Sequence, residues 1–239
     1  MGNQTSAVRI LAPVSFIFDF AAQQYGIFSK PNMLDIHNQN IGAFSPNPYF
    51  IPAFFAPQQL LQLFWLYKLT RPGATGTATD PERLSAERYA WIYTLGNFCI
   101  GTWMFFWNAN QLEISNIFVT INTVSHVAYI ATQLPPLNAN STLSITTHLV
   151  AKTFAGIGVL DLLHNTSAAY YRGVPPSTMV QALTGMGFIG AAALSDTIFG
   201  ACLAYDLVAL AVGQSGSWRK LLGAYALGTA AVIGARRWM

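Results

Sequence analysis

The sequence predicts an all-α, polytopic membrane helix bundle, with seven transmembrane helices as the leading arrangement and six as its competitor. Three observations predict it. The 239-residue chain is 53% hydrophobic and only 9% charged, against roughly 25% charged residues in soluble domains, too few to furnish a water-facing surface. Its apolar residues gather in stretches of about 20, the length that crosses a hydrocarbon core of about 30 Å. Its 16 Phe, 10 Tyr and 6 Trp suit helices with aromatic rims.

Seven segments carry the spans: 8–28, 49–69, 88–108, 113–133, 146–168, 178–211 and 219–236. The first holds Asp19 within its apolar run and lacks an Ala-x-Ala cleavage site, so it reads as a retained span rather than a signal peptide. The second opens on Asn47 as a cap and Pro48 as a start signal, and Pro57 inside it bends the helix and frees a carbonyl. The loop before the third contains Asp80-Pro81-Glu82, which starts a short helical turn. The link WNANQLE is so tight that the third and fourth spans are antiparallel neighbours. QLPPLNANSTLS and RGVPPST bound the fifth. The sixth would reach roughly 50 Å as one helix, so it either projects from the membrane or breaks near Gly200. The last is short and rich in Ala and Gly. No internal repeat divides the chain, and residues 1–239 read as one bundle domain.

Lys68, Arg71, Arg83 and Arg88 flank the second loop, and the positive-inside rule puts that loop in the cytoplasm. Under seven spans Arg219 and Lys220 agree, while Arg236 and Arg237 fall on the far side. Asn140 and Asn165 begin formal glycosylation sequons, the first cytoplasmic and the second at a span edge. The net charge of +3 is scattered, so no basic track serves nucleic acid. Cys99 and Cys202 lie in apolar segments and read as small fillers. The lipid bilayer is the implied partner, the endoplasmic reticulum the default membrane, and the oligomeric state is open.

Ionisable groups inside a bilayer are costly, so they face the bundle interior and mark function. Asp19, Asp161, Asp196 and Asp206 lie within spans, and Lys152 reads as a lysine whose amine snorkels outward. Asp161 and His164 share a helix face at a spacing of three, as do Asp19 and Gln23 at four. Asn122 and His126 form a polar stripe, and Asn97 points nearly with Asn108. Gathered inward, these seams enclose an amphipathic pocket. Asp196 and Asp206 are about 15 Å apart on a straight helix and cannot touch. Gln58, Gln59 and Gln62 follow Pro57 and can bind freed backbone or a ligand. Asp35 and His37 in MLDIHNQNIG make a two-ligand metal signal, too weak to assign a metal. GMGFIGAAA and AYALGTAAVIGA are packing seams, not phosphate loops.

Several activities are reduced. The last span has no interior lysine for a retinal Schiff base. Histidines do not repeat as haem pairs, and no filter motif marks a channel. A small-molecule transporter with discontinuous helices near Pro57 and Gly200 stays open, as does a non-catalytic accessory protein. An enzyme for an apolar substrate fits best. One carboxylic acid protonates an epoxide or alkene, aromatic faces steady the cation, and a second polar group takes the final proton. No D-D-x-x-D run exists for metal-triggered ionisation of a diphosphate, so acid-triggered cyclisation without a metal is the expected route.

In size, in number of spans and in its intramembrane acids the chain resembles the small integral-membrane terpene cyclases of fungal meroterpenoid pathways. FIFDFAAQQYG, NPYFIPAFFAPQQ and LSDTIFGACLAYD carry the likeness. It looks more like the ascofuranone and ascochlorin type than the pyripyropene type. The resemblance implies a cofactor-free isomerase of secondary metabolism acting on a farnesylated compound, often with a terminal epoxide. Asp196 is the expected leading acid and Asp19 the next, with Asp161 and His164 as the polar partner. Gln23, Gln58, Gln59, Asn97, Trp103, Trp107, Asn122, His126 and Tyr205 are the expected substrate-binding residues.

Overall fold

The computed structural model describes residues 2–71 and 80–236, with side chains from residue 7 onward. Most of the loop between the second and third spans, and Arg237, lie outside the described residues. The described chain is all-α. It runs α1 (Gly2–Phe28), α2 (Met33–Gln39), α3 (Phe50–Thr70), α4 (Pro81–Asn108), α5 (Leu112–Thr132), α6 (Thr142–Tyr170), α7 (Thr178–Leu194), α8 (Thr197–Gly213) and α9 (Gly216–Arg236).

Local chemistry sets the boundaries. Asp80 accepts the Glu82 amide and Pro81 opens α4, so the short turn expected there is the continuous first turn of the third span. Asn110, at φ 56°, makes the left-handed corner between α4 and α5, a conformation that asparagine tolerates better than most residues. Asn47 does not cap α3; Tyr49 holds that position, and the Asn47 side chain accepts the Tyr49 amide one turn earlier. The stretch MLDIHNQNIG, residues 33–42 and expected as loop, holds α2. Asn32 and Asp35 form a reciprocal capping box there, and Ile36 and His37 turn inward.

The sixth segment is two helices, and it breaks at Ser195–Asp196 rather than at Gly200. Both residues are extended, and the Asp196 carboxylate accepts the amides of Ile198 and Phe199 to start α8. An aspartate at an N-cap satisfies amides that otherwise have no partner. Gly200 instead gives close approach to Ile233 of α9.

This break reverses α9 relative to the seven-span expectation. The lower end of the bundle, where α1 begins, holds Glu87 between Arg9 at 2.6 Å and Arg83 at 3.3 Å. Asn138 reaches Glu82 there at 2.6 Å, and Arg236 bonds the Ser195 carbonyl. The upper end is a roof made of α2 and residues 40–49. Trp107 donates to the Met33 carbonyl at 3.1 Å, Trp218 to that of Ala43 at 2.7 Å, and Gln214 to those of Gly42 and Ser45. Arg219 and Lys220 therefore lie at the upper end and Arg236 at the lower.

α6 is the central helix, packed against α3, α4, α5 and α8. Beside its apolar cores, the interior takes many polar side chains, while apolar ones face outward on α3 and α5. On α5, Ser115, Asn116, Asn122, Thr123 and His126 are buried, while Ile114, Ile117, Ile121 and Val124 are exposed. On α3, Gln58 and Gln62 are buried, and Leu60, Leu63 and Phe64 are exposed. By length and hydropathy, α5 and α6 can each cross a membrane, and α7 and α8 are shorter apolar helices.

Candidate functional site

Beneath the roof lies a cavity of about 520 Å³. Its back wall is α4 and α6, which supply Trp103, Trp107, Asp161, His164 and Asn165. α1 adds Gln23 and Gln24 on one side, and α3 adds Phe55, Ala56 and Gln59 on the other. Asn32 and His37 of the roof close the top. The two tryptophan rings lie 5.5 Å apart between centroids, and Trp107 is 5.4 Å from His164. Trp103 is fixed through its Nε1, which donates to Asn165 Oδ1 at 2.7 Å.

The titratable groups fall on two levels. In the roof, His37 Nδ1 and His164 Nε2 are 3.1 Å apart, one ring donating and the other accepting. Ser45 Oγ lies 3.4 Å from His164 Nδ1, which continues the chain of exchangeable protons. Burial pushes the His37 imidazole below its ordinary value, because charging it would strip solvation from a cation. It is therefore neutral at pH 7. One turn below His164, Asp161 faces the cavity. Among the described residues neither a cation nor a hydrogen-bond donor accompanies its carboxyl. Its charged neighbour is Asp19, whose Oδ1 accepts from Gln23 Nε2 at 3.1 Å. Between α3 and α4, outside the cavity lining, Tyr93 donates to Gln62 Oε1 at 2.7 Å, and Gln62 donates to Gln58.

Asp161, His164, Gln23, Gln59, Trp103 and Trp107 thus share one chamber, while Asp19 is buried behind Gln23, to which it is hydrogen-bonded, and Gln58 is buried outside the lining. The other expected residues do not reach it. Asp196 caps α8 near the opposite end of α6, with its side chain 45% exposed and ion-paired to Lys152. Lys152 is buried rather than snorkelling outward. Asn97, Asn122 and His126 are packed among α4, α5 and α6, where His126 stacks on Phe154 at 5.0 Å. A methyl group on Gly96 would strike His126 and Asn122, so that region has no room for a ligand. Tyr205 donates to the Phe50 carbonyl at 2.6 Å and anchors the start of α3. Asp206 is fully buried with both oxygens unbonded. Asn165 is buried, which removes its sequon from the surface.

Neither a family model, a curated protein nor a solved structure matches this chain. Function therefore has to be argued from the chamber itself. Asp35, paired with His37 as a two-ligand metal signal, is exposed and bonded to the Asn32 amide, while His37 points inward. Among the described residues no group of three or more His, Cys, Asp or Glu side chains is placed to hold a metal. Sequence reasoning placed His37 only in that metal signal and passed over Ser45. The capping box at Asn32–Asp35 was the available sign that this stretch is a helix with an inward face.

Proposed function

We propose that the chain is a membrane-embedded terpene cyclase of the kind it resembles, acting on a prenylated compound with a terminal epoxide or alkene. The observation that carries this reading is Asp161, an acid without a cation partner, facing an aromatic and amide-lined chamber opposite a pair of neutral-capable imidazoles. The inverted helices support membrane placement, since apolar stripes on α3 and α5 face outward and amides face inward. Arg9, Lys68, Arg71, Arg83, Arg88 and Arg236 lie toward the lower end, so the positive-inside rule puts that end in the cytoplasm. The endoplasmic reticulum is the proposed membrane.

The acid role passes from Asp196 to Asp161. Lys152 holds Asp196 as a carboxylate, which has no proton to give. Asp161 transfers its proton to the epoxide oxygen, the C–O bond breaks toward the more substituted carbon, and the oxygen keeps the pair as a hydroxyl. The π pair of the next alkene forms a C–C bond to the cation. Trp103, Trp107 and Phe55 present ring faces to the migrating charge. A C–H bond of the last cation gives its pair to a new alkene and its proton to His37. His164 and Ser45 disperse that proton, and substrate and product are isomers.

In microsomes given an epoxyfarnesyl phenol, Asp161→Asn should lower cyclisation by about 10²–10⁴-fold, the usual worth of a general acid, at unchanged folded yield. Cyclisation at the wild-type rate sinks the assignment. A small-molecule transporter is the second reading of an amphipathic cavity within a helix bundle. Solute uptake by sealed proteoliposomes without chemical change would favour that second reading.

A further inference from the structure

α1 and α3 pack together at only one end. Val8, Ala12 and Phe16 of α1 share an apolar core with Trp65, Leu66 and Leu69 of α3 at the lower end. The upper half of α3 belongs to a different core, where Phe50 and Phe54 lie 5.5 Å and 5.3 Å from the Tyr205 ring of α8. Pro57, between the two halves, has no amide to give the helix ladder. α3 thus leans from α1 toward α8 as it rises, and the cavity occupies the space that opens between them, lined by Ile27 of α1 and Ala56 of α3.

The rim of that space is apolar and outward. Ile27 is 48% exposed and Tyr49 72%. Ala56 is exposed too and, as a small residue of the lining, leaves the opening unfilled. The polar groups sit deeper or higher: Asp161 lies about 14 Å below the top of α6, and Asn32 and His37 lie in the roof.

We propose that this slot between α1 and α3 is a lateral portal, through which the prenyl chain of a membrane-dissolved substrate slides sideways from the bilayer. The chain end reaches down to Asp161, and the polar head stays at the upper rim near Asn32 and Tyr49. This rests on the cyclase reading for its substrate. A bilayer portal admits an apolar chain without passing it through water, and the rim offers that chain no unmatched charge.

The test uses a farnesyl alcohol carrying a diazirine, photolysed with the full chain in phosphatidylcholine vesicles, with adducts mapped by mass spectrometry. Adducts should fall on Ile27, Phe55, Ala56 and Trp103. Ala56→Trp, which fills the slot, should lower chamber labelling about tenfold, and Ile27→Trp repeats the test should the first variant fold poorly. Leu60→Trp, on the same helix outside the cavity lining, should leave labelling unchanged. Adducts confined to the outer faces of the helices overturn the portal. So does a loss caused by Leu34→Trp in the roof and not by Ala56→Trp, which would mean passage from the water side. Labelling needs no turnover: a labelled chamber without cyclisation rejects the enzyme reading alone, and cyclisation indifferent to both slot variants rejects the portal alone.

Discussion

Asp196→Asn separates a structural acid from a chemical one. Asparagine caps helices about as well as aspartate, so the amides of Ile198 and Phe199 keep their acceptor and α8 still begins at Thr197. What is lost is the negative charge beside Lys152, whose side chain is only 10% exposed. Removing one partner of a fully buried ion pair costs about 3–5 kcal/mol. Here the carboxylate side is 45% exposed, and solvent screening brings the pair toward the surface range of at most about 1 kcal/mol. A loss of about 1–2 kcal/mol follows, or roughly 2–8 °C in Tm for a chain of this length. Lys152→Met in the same chain should recover most of it, because the stranded ammonium is gone. The assay is thermal unfolding in lipid nanodiscs, beside product formation per folded molecule. Product formation lost at unchanged Tm, and not recovered by Lys152→Met, would refute this and return Asp196 to the reaction.

Two further outcomes test the interior. His37 has a folded-state value below the ordinary 6.5, so between pH 6.5 and that lower value the unfolded chain binds a proton that the folded chain refuses. Stability is then fully present above pH 6.5 and falls as the pH drops below it; His37→Gln should flatten that fall in pH-dependent unfolding, and an identical slope would contradict a buried, neutral His37. Gly96→Val adds carbons where a Cβ already meets Asn122 Oδ1 at 2.7 Å. It should cost about 1–3 kcal/mol by overpacking, seen as a lower Tm, and unchanged stability would mean that α4 and α5 are not in close contact there.

Much of the layout was legible because hydropathy and caps are local signals. The tight WNANQLE turn, the Asp80-Pro81 start and the helical segments around Asp19, Pro57 and His126 all follow from residues within a few positions. The break in the sixth segment was half legible. Length called for either a projecting helix or a break near Gly200, and the break falls four residues earlier, where the Asp196 carboxylate takes the first amides of α8. The site was legible where one helix supplied the pair, as with Asp161 and His164. It was hidden where the partner came from far away: His37 is 127 positions from His164, and no spacing rule connects them. Asn97, Asn122 and His126 show the converse. They form a polar seam as the spacing implied, but the seam is closed by Phe154 and Tyr89, whose rings pack on His126.

The acids of the bundle sort by partner, and that sorting bears on function more than their depth does. Glu87 sits between Arg9 and Arg83, Glu82 takes a hydrogen bond from Asn138, and Asp196 pairs with Lys152. Each has a cation or a hydrogen-bond donor at its side, and each fastens two segments of the chain together. Asp19 has only the amide of Gln23. Asp161 and Asp206 have neither cation nor donor among the described residues. A buried carboxyl without either costs free energy that a leucine of similar size would not. Asp161 and Asp206 are two such groups and Asp19 a third carboxyl with a single amide; with Asp161 the electrostatic neighbour of both others, they make a poor scaffold and, on the cyclase reading proposed above, a proton store. Asp161, the one of the three that lines the chamber, is where such a store would meet a substrate.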